Sequence, residues 1–106
     1  MVEIPNLVNE KISKFIDVLE MNDFHIQKAY LFGSYSRNNQ HEESDIDLAL
    51  VIRNLSDPFL AQVELMKLRR KFDLRIEPHP FNESEFSIQD PLVFEILKYG
   101  QEIKID

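Results

Sequence analysis

Apolar residues recur at Leu7, Val8, Ile12, Phe15, Ile16 and Leu19, a spacing that predicts an amphipathic helix over residues 5–21, with Pro5 in its first turn. Asn22-Asp23 ends that pattern, and the period then shortens. Ile26 to Phe32 reads as a strand, most continuously apolar at Ala29-Tyr30-Leu31-Phe32, and Asp45 to Ile52 reads as a second, bounded by Asn54 and Ser56. Ser34 to Glu43 between them is polar, with room for one helical turn at its start. Asp57-Pro58 is an N-cap followed by proline at the first helical position. The helix it opens reaches about Lys71, with Phe59, Val63 and Met66 as its apolar stripe and Lys67, Arg69, Arg70 and Lys71 at the negative end of its dipole. A short strand, Phe72 to Glu77, is expected to end at a Pro78-His79-Pro80 corner. Asp90-Pro91 repeats the cap signal for a last helix over 91–99, with Gly100 at its C′ position and an edge strand over Glu102 to Ile105. Strands alternating with helices predict an α/β (α+β) sandwich, a small mixed sheet with helices packed on it.

Composition narrows the function classes. The 106 residues suffice for one core, so a single domain over 1–106 is expected. With 12 Lys+Arg against 19 Asp+Glu, the net charge of −7 opposes broad nucleic-acid binding. A triphosphate stays open, because divalent cations can stand between two sets of negative charge. Cysteine is absent, which excludes disulfides and thiolate metal sites. No apolar run approaches the roughly 18 residues of a membrane span, and MVEIPNLVNE lacks the pattern of a signal peptide. A cytoplasmic protein is expected.

The chemistry concentrates in LFGSYSRNNQHEESDIDLAL, residues 31–50. Asp45 and Asp47 share one face of their strand, Ile46 and Leu48 the other. Two residues along a strand advance about 6.6 Å, close enough for both carboxylates to ligate ions roughly 3.5–4 Å apart. Such hard oxygen donors favour Mg²⁺ or Mn²⁺ over zinc. The competing reading is an edge strand with one solvated face. Gly33 ends the preceding strand where positive φ and close approach to a ligand are possible, Ser34 offers a hydroxyl and an N–H, and Arg37 carries a planar fork suited to phosphate oxygens. Taken alone, this segment is equally a plain turn.

Together, Gly33-Ser34 after an apolar strand and Ser44-Asp45-Ile46-Asp47-Leu48 after a polar loop resemble the DNA polymerase β-like nucleotidyltransferase superfamily. Within it, they resemble the minimal nucleotidyltransferase group, whose pattern is roughly G-S-x-A/S-R-G…S-D-I-D-L. Asn38 stands where that pattern has glycine, and asparagine tolerates the left-handed conformation better than most residues. The resemblance implies a two-metal transfer of a nucleoside monophosphate, AMP in the first instance, from a nucleoside triphosphate to a hydroxyl of a protein or small molecule. Asp45 and Asp47 would hold two Mg²⁺ or Mn²⁺ ions. Gly33, Ser34, Arg37 and Ser44 would contact the phosphates. A third carboxylate would come from the next strand, Asp73 being preferred for its Phe72-Asp73-Leu74 setting and Glu77 being the alternative. For either, the competing reading is an ion pair with Arg75.

His79 reads as a solvated corner residue or as a contact to nucleotide or acceptor. His41 with Glu42 and Glu43 reads as solvated loop, and His25 carries no signal. About 55 residues follow the Asp45–Ile52 strand, enough to complete the core but not a second domain, so a partner chain or a homodimer is expected. The resemblance implies a helical HEPN-type partner in a toxin–antitoxin pair. Two other classes stay open: a nucleotide-binding regulatory subunit, and an interaction module that covers a partner's surface.

Overall fold

The computed structural model describes residues 6–33 and 45–105; Ser34, Arg37, Asn38, His41 and Ser44, with the expected helical turn after Gly33, lie outside the described residues. Helix α1 (Asn6–Met21) buries Val8, Ile12, Phe15, Ile16 and Leu19, the stripe its sequence predicts, while Leu7 stays exposed. β1 (Ile26–Phe32) pairs antiparallel with β2 (Ile46–Ile52), Leu31 opposite Leu48 and Phe32 opposite Asp47. α2 (Pro58–Leu68) is capped as expected, the Asp57 carboxylate accepting from the Phe59 and Leu60 N–H groups, and a 3₁₀ turn over Arg69–Lys71 extends it. The crossover through α2 returns the chain parallel to β2 as β3 (Ile76–Asn82). α3 (Pro91–Tyr99) then leads into β4 (Gln101–Ile103), which pairs antiparallel with β1. The order β3-β2-β1-β4 is a mixed sheet with β2 inside it, not at an edge. Among the described residues, no helix is long and apolar enough to cross a membrane.

Three local expectations are corrected. The third strand covers Ile76–Asn82 instead of Phe72–Glu77, and the Pro78-His79-Pro80 segment is strand rather than corner. Residues 69–75 are consumed in ending α2, with the Phe72 and Asp73 N–H groups both donating to the Arg69 carbonyl. Two prolines are tolerated because β3 is an edge and they share one parity, so neither N–H is missed by the ladder to β2. The outward carbonyls of that parity are taken by side chains: Arg69 Nη1 donates to Ile76 O (2.8 Å) and Gln62 Nε2 to Pro78 O (2.8 Å). The second correction concerns α2, which buries Ala61 and Leu65 and leaves the Phe59–Val63 side in solvent. Apolar residues lie around most of this helix, so periodicity identified the helix without choosing its inner face. Gly100, finally, has φ −73°, not a left-handed conformation. A Cβ there would strike the Ile96 and Leu31 carbonyls, so close packing explains this glycine.

The two sheet faces are unlike. Ile46, Leu48, Leu50, Ile52, Leu31 and Ile76 point into the main core beneath α1 and α2. Tyr30, Phe32, Ala49 and Val51 form a smaller cluster on the opposite face with Ile96 of α3, flanked by Phe81 and Phe86. Asp47, in step with Ala49 and Val51, stands at the end of this second face.

Candidate metal centre

Asp45 lies one residue before β2 and is exposed; Asp47 is the second residue of the strand and half-buried. The parallel register sets Asp47 opposite Glu77 and Ala49 opposite His79. Alternation puts Glu77 and His79 on the face that carries Asp47. His79 Nε2 is 3.2 Å from Asp47 Oδ1, and its ring stands edge-on to Phe32 with centroids 5.1 Å apart. One donor atom from each of Asp47, Glu77 and His79 lies within 4.8 Å of the others, the one group of three or more potential metal-ligating side chains among the described residues.

The electrostatics of this group fit a cation. Partial burial raises the Glu77 carboxyl above the ordinary glutamate value, and the negative charges of Asp47 and Asp45 raise it further, while His79 works the other way. Carboxylates that oppose one another's ionisation, with a nitrogen donor beside them, are a set that a divalent ion would relieve. The residues therefore fit a divalent cation, with Asp47 and Glu77 as oxygen donors and the His79 nitrogen within reach of the same space.

Asp73 is not brought to this group. It lies in the turn before β3, where Arg75 grips it: Arg75 Nη2 donates to Oδ2 (2.6 Å), and Arg75 Nε (3.0 Å) and backbone N (2.9 Å) both donate to Oδ1. Lys11 Nζ of α1 donates to Oδ2 at 3.2 Å, and the Asp73 side chain is only 8% exposed. The Arg75 hydrogen bonds hold the carboxyl far below the usual aspartate range against the opposing effect of burial. Asp73 thus ties α1 to the β3 entry. The ion pair with Arg75, the competing reading of its sequence, is present and is largely shielded from water. Glu77 and His79 were open in the sequence, and the parallel register that unites them with Asp47 has no local signal.

Gly33 has φ +72°, and a Cβ built on it would collide with the Asp47 carboxylate. It is therefore required twice, by conformation and by the space the aspartate occupies. Gly33→Ala is expected to displace Asp47 and to lower any metal-dependent activity by about 10²-fold, the usual scale for a misplacement near 1 Å. Far-UV circular dichroism would stay native while the rate falls; an unchanged rate would show that Asp47 does not need this position.

The family model described as polymerase beta, nucleotidyltransferase matches residues 10–105. Protein adenylyltransferase MntA of Shewanella oneidensis is 35% identical over 65 residues, 61% of this chain and 47% of that protein, so this chain spans about half the length of that relative. A Methanocaldococcus jannaschii chain, provisionally assigned as a protein adenylyltransferase, is 28% identical over 83 residues, 74% of this chain and 79% of its own length. The crystal structure of a toxin–antitoxin with AMP-PNP superposes with a TM-score of 0.65 at 27% identity, covering 92% of this chain and 73% of that one.

Proposed function

This chain belongs to the polymerase beta nucleotidyltransferase family, and from that premise we propose that it transfers AMP from ATP to a hydroxyl of a partner protein, as the antitoxin of a toxin–antitoxin pair. The observation that carries the reading is the register of β2 with β3, which stands Glu77 beside Asp47 with His79 behind them. The adenine and the protein acceptor are taken from the relatives: two bear the name protein adenylyltransferase, and a toxin–antitoxin of this fold was crystallised with AMP-PNP.

In this reading Asp45, Asp47 and Glu77 hold two Mg²⁺ or Mn²⁺ ions, Glu77 taking the place first expected for Asp73. Bound there, the ions neutralise the triphosphate and stabilise charge on the attacking and leaving oxygens. Gly33, Ser34, Arg37 and Ser44 would bind the phosphates. Glu77, beside Asp47 in this group, would accept the proton of the attacking hydroxyl. The new O–P bond forms to the α-phosphorus, the bond to the β-phosphate oxygen breaks, and pyrophosphate leaves.

The partner in this reading is a helical HEPN-type chain, with a second copy as the alternative, in the cytoplasm. Phe59, Leu60 and Val63 on α2, exposed by 75%, 63% and 41%, favour a second reading, a module that works by covering its partner's surface. One experiment separates the two. The chain, alone and with the product of its neighbouring gene, is incubated with Mg²⁺ or Mn²⁺ and ATP, CTP, GTP or UTP labelled at the α-phosphate. Label transferred from ATP to the partner, with pyrophosphate released, is the expected result. A stable complex with no label and no pyrophosphate from any nucleotide would leave the covering module in its place.

A further inference from the structure

His79 is held more firmly than a surface histidine. Pro78 and Pro80 restrict the backbone on either side of it, β3 pairs it in register with Ala49, and Phe32 meets the edge of its ring. The ring is thereby aimed at Asp47, with Nε2 3.2 Å from Oδ1. Two donors bound about 2.1 Å from one ion at right angles stand about 3.0 Å apart. The observed separation is close to that value, so these atoms can become neighbours on a single cation with little movement. A hydrogen bond from Nε2–H to Asp47 uses the same spacing, and the two roles differ in chemistry. Mg²⁺ is hard, takes oxygen donors and parts with water reluctantly, whereas imidazole nitrogen binds first-row transition ions better.

We infer that His79 is a metal ligand that makes this centre prefer a first-row transition dication such as Mn²⁺ or Co²⁺ to Mg²⁺, an inference that rests on the nucleotidyltransferase reading of the same site. With Mg²⁺ the imidazole stays on Asp47 as a hydrogen-bond donor. With Mn²⁺ or Co²⁺ it turns its free nitrogen lone pair to the ion, in the tautomer that leaves the proton on Nδ1, and joins Asp47 and Glu77 as the third donor.

The test is made on the full chain without nucleotide, with Mn²⁺ as the probe and Mg²⁺ as its competitor. Pulsed electron paramagnetic resonance of the wild-type Mn²⁺ complex is expected to show coupling to a ¹⁴N nucleus that disappears in His79→Gln. In that variant Mn²⁺ affinity falls by about tenfold more than Mg²⁺ affinity, because Mg²⁺ loses only a hydrogen bond to one of its ligands. Bound Mn²⁺ without ¹⁴N coupling in the wild type would overturn the inference with no variant needed. So would equal losses of Mn²⁺ and Mg²⁺ affinity, the outcome of a purely positioning role. Mn²⁺ binding that is indifferent to Asp45→Asn and Asp47→Asn would overturn the site itself, and with it the nucleotidyltransferase reading; failure of His79 alone leaves that reading standing.

Discussion

Asp47→Asn is expected to reduce nucleotide transfer by about 10³-fold, since losing the charge that anchors a catalytic ion removes several kcal/mol of transition-state stabilisation, each 1.36 kcal/mol being about tenfold. Asp47 faces the centre from inside the sheet: Phe32 is opposite it on β1, Glu77 on β3, and Gly33 leaves the space that its carboxylate fills. Asparagine nearly matches it in shape, and the surrounding strand is buried, so the fold should persist. The effect is read as the rate of label transfer from ATP at saturating Mn²⁺, with unfolding followed in parallel. A rate within a few-fold of wild type in a folded variant would remove Asp47 from the chemistry.

Glu77→Gln carries the second large effect, and its sign differs between rate and stability. Transfer should fall by about 10²- to 10³-fold, as expected when a group that serves both the ions and the acceptor proton is lost. Folding stability measured in chelator should instead rise. The folded state holds the Glu77 proton more tightly than the unfolded chain does, because of burial and the charges of Asp47 and Asp45. The ionised carboxylate therefore costs stability, fully above its folded pKa and not at all below its unfolded value. Glutamine removes that cost, so the wild type and the variant should converge on acidification. Asp73→Asn behaves in the opposite way. Its folded pKa is lowered, so its contribution is complete above the unfolded value and is lost as the pH falls through the folded one. Replacing it should cost about 1–3 kcal/mol at neutral pH, the scale of hydrogen bonds to a charged group, with transfer per folded molecule retained. Melting curves in chelator and single-turnover rates for both variants check the pair. Full activity in Glu77→Gln together with inactivity in folded Asp73→Asn would restore Asp73 as the third carboxylate.

The contrast between these two carboxylates shows where sequence reading ran out. In KFDLRIEPHPF both Asp73 and Glu77 have apolar neighbours and share one parity, so alternation could not separate them. What separates them is the turn that ends α2, which keeps residues 69–74 out of the sheet and hands Asp73 to Arg75 and Lys11. His79 was hidden for a similar reason: two prolines argue for a corner unless the strand is known to be an edge whose outward carbonyls are met by Arg69 and Gln62. The outward face of α2 was obscured by apolar residues around most of its circumference.

By itself, the sequence determined the helices from Asn6 and Pro58, the two central strands and the glycine that closes β1. All of these depend on residues a few positions apart, where periodicity, capping and backbone freedom act directly. Only the tertiary structure decided which strand flanks β2 and in what register, and so which carboxylate and which histidine join Asp47. That choice joins residues about thirty positions apart through a crossover, and its free energy lies in burying Ile46 and Ile76 on one face. The acidic group on the other face is assembled as a consequence.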